Sequence, residues 1–318
     1  MTFTDLGAAM QNVLARAQAM SKQNENSKQQ AEHLDVDCDA CNDTHMLFER
    51  IEVETKYNGK VTKGFKDLGR PCHCVKQKYL KNRFKNALIP DEFKDARFDN
   101  YQLKENAHEV LFQATKDYLK EFQDIISSKP EYNSLGFIAE FGETRIRQME
   151  PQDRYRAKEE HNNFGLGKTH LQMAAAKWIL NRIRIRDEIA PGQLSKFDRG
   201  CRVLCVSDVT FMDDLTSAKM ASDGGDSLNK LTESALQADV LVWDDLGKSK
   251  HSESKEGLYY KIINERYLQK KPIIFSSNED TGTLSEKIGY AASSRLLGMC
   301  GERLYKVEGN DWRLRKGA

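Results

Sequence analysis

The 318-residue chain has almost no net charge: 49 lysines and arginines stand against 48 aspartates and glutamates, leaving +1 at neutral pH. So even a balance excludes a global field for polyanions, and any nucleic-acid surface must be a local basic patch. No apolar run approaches the roughly 18–20 residues that cross a bilayer, so no membrane partner is expected. The opening residues MTFTDLGAAMQNVL lack the basic and apolar regions of a signal peptide, which predicts a cytoplasmic protein. Internal repeats are absent too. What remains is a globular composition, 39% hydrophobic and 31% charged. It is too apolar for general disorder and long enough for about two domains of roughly 100–200 residues.

The seven cysteines are unevenly placed. Cys201, Cys205 and Cys300 are scattered and read as small core residues. Cys38, Cys41, Cys72 and Cys74 are clustered, and in a reducing compartment such a cluster points to a metal rather than to disulfides. Cys38-x-x-Cys41 followed by Cys72-His73-Cys74 offers four thiolates in two close pairs, the donor set that tetrahedral Zn²⁺ takes. A segment this polar has no core of its own and would gain stability from the ion. His73 or His45 could replace one cysteine.

Ahead of the cluster, Phe3, Leu6, Met10, Val13, Leu14 and Ala17 recur at helical spacing, and residues 21–30 form a polar stretch. Between the cysteine pairs, HMLFERIEVE and KVTKGF flank the turn signal Tyr57-Asn58-Gly59 and predict a hairpin. VKQKYLKNRFK then carries Lys76, Lys78, Lys81, Arg83 and Lys85 beside Tyr79 and Phe84. Such a run could follow single-stranded DNA by phosphate pairing and base stacking, or be a solvated helix face with its aromatics inward; RIRIR at 182–186 reads the same way. From residue 135 onward, LGFIAEF, RVLCVS, DVLVWD, PIIFSS and RLYKVE alternate with longer amphipathic stretches, the pattern of an α/β domain with a mainly parallel sheet. The predicted domains are residues 1–90, a helix plus zinc module, and residues 91–318.

GLGKTHL, from Gly165 to Leu171, has the residues of a phosphate-binding loop. Gly165 and Gly167 let backbone N–H groups face phosphates, Lys168 reaches the β- and γ-phosphates, and Thr169 offers a hydroxyl to Mg²⁺. The helix that follows would point its N-terminus at the anion. The full pattern asks for a glycine where Asn162 stands. Either asparagine substitutes there, or the glycine is Gly142, directly after LGFIAEF, with about twenty residues inserted in the loop. The second fits better, because RYRAKEEHNN cannot be a buried strand leading into the loop.

Downstream, the apolar run ADVLVWDDLG ends in Asp244, placed to hold Mg²⁺, and Asp245, placed to orient the attacking water. Asn278 ends the next strand, where it could touch the γ-phosphate or merely cap a turn. Arg295 follows late in the domain, as an arginine finger or a surface ion pair.

In that order, GLGKTHL, VLVWDDLG, YKIINERY, PIIFSSN and SSRL resemble the bacterial replicative-helicase loaders of the DnaC/DnaI group and the related helper ATPases of insertion sequences. The resemblance extends over roughly residues 91–315 and includes the approach IPDEFKDARFDNY. It implies an AAA+ (ASCE P-loop) ATPase domain that binds ATP and Mg²⁺ and self-associates. Lys168 and Thr169 match Walker A, Asp244 and Asp245 Walker B, Asn278 sensor 1 and Arg295 the arginine finger, while Arg313 matches a terminal arginine. The zinc module resembles the helicase-gripping domain of the DnaI type. The implied function is ATP-dependent loading of a hexameric DnaB-type helicase onto single-stranded DNA, with a transposition helper or a non-hydrolysing adaptor as the other readings. The interrupted loop is the one departure.

Overall fold

The computed structural model describes residues 37–57 and 60–311. The helix expected over residues 3–17, the polar stretch at 21–30, the turn residues Asn58 and Gly59, and Arg313 lie outside the described residues. The chain forms two compact units that divide between Lys78 and Tyr79, within a helix, α1, running His73–Asn86. The boundary expected at residue 90 falls inside the second unit. Ala87 is fully buried there, Phe84 and Ile89 pack against its core, and Cys205 N donates to Ala87 O at 2.8 Å.

In the first unit, β1 (Met46–Tyr57) and β2 (Lys60–Pro71) pair antiparallel in unbroken register, from Met46 opposite Pro71 to Tyr57 opposite Lys60. The expected hairpin is present, with both strands extended beyond the predicted runs. A lone two-stranded ribbon has too little apolar area for independent stability, and Phe48, Phe65 and Leu68 are exposed on this one. Among the described residues, the buried apolar cluster of this unit is Cys38, Cys41 and Cys72, with Leu47 and Cys74 against it.

The second unit is built on a five-stranded parallel sheet. In chain order its strands are β3 (Leu135–Ala139), β8 (Val203–Ser207), β9 (Val240–Asp244), β10 (Ile273–Ser276) and β11 (Leu304–Val307). In space they lie β11-β3-β10-β9-β8. β3 is buried along its whole length, as a strand covered on both faces must be, which is why it reads as a continuous apolar run. One face is covered by α2 (Asn106–Ser128) and α5 (Lys168–Arg182). α2 buries Leu111, Thr115, Tyr118, Phe122 and Ile125, a single helical stripe. Over the other face lie α6 (Asp208–Met220), α7 (Asp226–Gln237), α8 (Glu253–Leu268), α9 (Thr281–Ile288) and α10 (Tyr290–Cys300). Cys201, Cys205 and Cys300 are buried, as small core residues.

Arg266 of α8 is fully buried and donates to the carbonyls of Ala235, Ala238, Asp239 and Pro272. One guanidinium thus satisfies the end of α7 and the starts of β9 and β10. Between β3 and the phosphate loop stand two extra helices, α3 (Glu143–Gln148) and α4 (Pro151–Glu160). Between α5 and β8 come two short antiparallel pairs, β4 (Arg184–Ile185) with β7 (Arg199–Gly200) and β5 (Glu188–Ala190) with β6 (Gln193–Leu194). The sheet order sets the strand of Asp244 one strand away from β3, with the strand that leads to Asn278 between them. That is the ASCE P-loop arrangement, and the domain has the AAA+ α/β fold. Among the described residues no helix is long and apolar enough to cross a membrane.

Candidate functional site

Parallel strands end at one edge of a sheet, and loops from neighbouring strands meet there. β3, β10 and β9 therefore deliver their C-terminal tips to a common place, beside the start of α5. Gly165 and Gly167 have φ of +69° and +74°, a left-handed backbone that glycine adopts at no steric cost. Gly167 is also the residue that opens α5, so the loop's N–H groups and the helix N-terminus share one direction.

Lys168 is buried. Its Nζ donates to Asn278 Oδ1 at 2.8 Å, Asn163 O at 3.1 Å and Ser277 O at 3.3 Å. Thr169 Oγ1 donates to both oxygens of Asp244, at 2.9 and 3.1 Å. Burial pushes the Asp244 carboxyl up from its ordinary value, and the adjacent Asp245 charge adds to this. Asn278 Nδ2 reaches Asp245 Oδ1 at 3.3 Å, and Lys248 Nζ donates to Asp245 Oδ2 at 3.0 Å. Lys168, Thr169, Asp244, Asp245 and Asn278 are thus brought together. Of these, Thr169, Asp244 and Asp245 lie along a cavity of about 990 Å³ whose wall also includes Gly165, Gly167, Tyr101, His108 and His170.

Gly142 and Arg295 are placed elsewhere. Gly142 precedes α3 with an ordinary φ of −69°, and its N–H donates to Asp280 Oδ2 at 2.9 Å. The insertion expected in the loop exists and forms α3 and α4, with Glu143 N donating to Asn278 O at 2.9 Å. Asn162 stands at the loop's start, outside the positive-φ region, so no glycine is needed there. Its side chain donates to Gly309 O at 2.5 Å and its carbonyl accepts from Gly309 N at 2.8 Å. Arg295 lies on α10, its guanidinium 5.1 Å from the Tyr260 ring and 5.9 Å from that of Tyr267. Of the basic run in α1, Arg83 turns inward and donates to Leu180 O and Cys201 O.

Sequence reasoning missed several contributors. Ser276 donates to Asp244 Oδ1 at 2.8 Å and accepts from Asp245 N at 3.1 Å, tying the Asp244 carboxylate and the Asp245 backbone to β10. Tyr101 OH donates to Leu166 O at 2.7 Å, and its ring stands so close to Gly167 that a side chain there would strike it. The sequence signals were the serine before Ser277-Asn278 and the tyrosine that closes IPDEFKDARFDNY. Asp311, against Gly165, gave no signal at all.

In the first unit the four predicted sulfurs converge. Cys38 Sγ and Cys72 Sγ are 3.7 Å apart, Cys41 Sγ and Cys74 Sγ 3.5 Å, and all four lie within 4.8 Å of one another. Tetrahedral Zn²⁺ with its usual zinc–sulfur distance needs sulfurs about 3.8 Å apart, so the cluster fits the ion. His45 Nδ1 and His73 Nδ1 each lie 3.5 Å from a cysteine sulfur, Cys74 and Cys72 respectively. They flank a set of four thiols that is already complete.

No family model matches the chain. Over 250 residues, 76% of this chain and 76% of the relative, it is 24% identical to the phage-like element PBSX protein XkdC of Bacillus subtilis (strain 168). Among solved structures it is similar to the DnaC helicase loader, at 21% identity over 66% of this chain and 96% of that one, with a TM-score of 0.45. Similar too is DnaI, at 16% identity over 70% and 94%, with a TM-score of 0.44. AMPPCP-bound DnaA from Aquifex aeolicus is 19% identical over 64% of this chain and 48% of its own, with a TM-score of 0.42. With these scores below 0.5, the fold rests on the sheet order described above.

Proposed function

We propose that this chain is an ATP-hydrolysing loader that delivers a hexameric DnaB-type helicase to single-stranded DNA during replication. The observation that supports hydrolysis best is the hydrogen-bonded cluster of Lys168, Thr169, Asp244, Asp245 and Asn278, of which Thr169, Asp244 and Asp245 line one cavity. Likeness to helicase loaders and to a replication initiator supports the replication role. Backbone N–H groups from Gly165 to Thr169, with the Lys168 ammonium, would hold the β- and γ-phosphates. Thr169 and Asp244 would hold Mg²⁺, which when bound supplies positive charge to the phosphate oxygens. Asp245, kept in place by Asn278 and Lys248, would orient the attacking water and take its proton. Arg295, remote from its own loop, would complete the site of a neighbouring copy. The first unit, folded around Zn²⁺ held by Cys38, Cys41, Cys72 and Cys74, would grip the helicase.

Asp311 favours a second reading. Its carboxylate lies against Gly165, where it would compete with phosphate, as suits a non-hydrolysing adaptor. ATP hydrolysis measured with and without single-stranded DNA separates the two. Turnover stimulated by DNA, with a hexameric helicase recovered by the chain from a host lysate, supports the loader. ATP bound without turnover supports the adaptor.

A further inference from the structure

Asp208, the first residue of α6, is fully buried, yet no step above uses it. Its Oδ1 accepts from Trp243 Nε1 at 3.0 Å, and its Oδ2 accepts from Ser249 N at 2.8 Å. Tyr259 OH lies 2.8 Å from both oxygens. Three elements thus converge on one carboxylate: β9, the turn after it, and α8. A buried carboxylate is costly unless its lone pairs are met, and here they are met by groups from just these places.

What the donors bracket matters more than their number. Trp243 immediately precedes Asp244 on β9, and Ser249 closes the turn that follows Asp245. Between these two tethers Asp245 takes φ +53° and Gly247 φ +84°, while Leu246 N donates to Ser276 O at 2.7 Å. A left-handed aspartate is held there against its own preference, so something must define the turn from both sides. Lys255 extends the tether, donating to Ser249 Oγ at 2.6 Å and to Asp213 Oδ1 at 2.8 Å. Burial pushes the Asp208 carboxyl up to about 6, against the pull of its donors. At pH 7 to 8 it therefore stays ionised and acts purely as an acceptor.

We infer that Asp208 is a positioning residue for nucleotide hydrolysis: by holding Trp243 and Ser249 it fixes where Asp244 and Asp245 stand relative to the phosphates. The inference rests on the hydrolytic reading above. Asp208 touches neither phosphate loop nor Asp245, so its loss should leave nucleotide binding alone and misplace the groups that act on water. A displacement of an ångström at such groups costs on the order of 100-fold in rate.

The test measures kcat and KM for ATP in the full-length protein, beside the affinity for a fluorescent ATP analogue. Asp208→Asn keeps the shape but puts an amide N–H₂ among donors. It should lower kcat at least tenfold while the affinity for the analogue changes less than twofold. Tyr259→Phe removes one donor only; it keeps the test decisive if the asparagine variant does not fold, and should lower kcat about threefold at unchanged affinity. Loss of affinity in step with kcat, or unchanged kcat in a folded variant, would show a merely structural carboxylate and overturn the inference alone. A wild-type protein that binds the analogue but never hydrolyses ATP would overturn the hydrolytic reading and the inference with it.

Discussion

Lys168 Nζ donates to Asn278 Oδ1 at 2.8 Å, so the phosphate loop and the tip of β10 are joined by one ammonium. A phosphate arriving at the loop must draw that ammonium toward itself, and Asn278 is then left with Asp245. On the hydrolytic reading, loop occupancy would thus be felt at Asn278 and Asp245 through this hydrogen bond.

Lys168→Ala should raise the dissociation constant for ATP at least tenfold, about 1.4 kcal/mol, because it removes a ground-state contact to phosphate. Asp245→Asn should bind ATP within twofold of wild type and lower turnover by about 100-fold or more. Titration with a fluorescent analogue and phosphate release measure the two effects separately. An Asp245→Asn protein with normal turnover would remove Asp245 from the mechanism.

The purified protein should contain one Zn²⁺ per chain, measured by elemental analysis. Cys72→Ser, or a strong chelator, should release it and expose the segment from residue 37 to residue 78 to protease. The second unit has its own core and should keep its melting transition. Protein without stoichiometric metal would show that the four thiols do not hold the ion.

Arg295→Ala should leave ATP binding nearly intact and abolish DNA-stimulated hydrolysis. Mixed with Lys168→Ala protein it should regain part of the activity, since each variant lacks a different half of a shared site. Full turnover by monomeric Arg295→Ala protein would reduce Arg295 to a residue that packs on Tyr260 and Tyr267.

Asp280 predicts a pH effect. Burial pushes its carboxyl up, but Arg145 and the N–H groups of Thr283 and Gly142 outweigh this and hold it at about 2, below the ordinary 3.8. Its contribution to stability is therefore present above pH 3.8 and is lost as pH falls through 2. Arg145→Ala should cost about 1 kcal/mol at neutral pH, since the guanidinium is half exposed, and the gap to wild type should close as pH falls from about 4 toward 2. Thermal melts across that range measure it; a gap that stays constant would show that the ion pair is not the source.

Much of this site could be read from sequence because the chemistry is carried by short runs at strand ends. Lys168, Asp244 and Asn278 each follow an apolar run or a glycine pair, and parallel pairing brings such tips together without further information. The four cysteines were legible because thiols in a polar segment have few other uses. Spacing along the chain cannot reveal that the N–H of Gly142 is taken by Asp280. Ser276 and Tyr101 stood beside recognised motifs but were not singled out, and Asp208 was invisible, for a related reason. Their roles come from neighbours far away in sequence, and nothing local marks a buried aspartate or a strand serine. The boundary near residue 90 was misplaced because Phe84 and Ala87 follow a basic run that looks fully solvated.

The phosphate loop does not hang directly from β3, since two helices intervene. One end of the loop rests on α5, while the other is moored at Asn162 by its paired hydrogen bonds to Gly309. It is a suspension bridge rather than a cantilever, and its second pier is the segment that follows β11. Pulling on that segment would load the Asn162 mooring and the contact of Asp311 with Gly165 together. A neighbouring copy or bound partner that engaged that downstream segment would therefore act on the loop through both contacts.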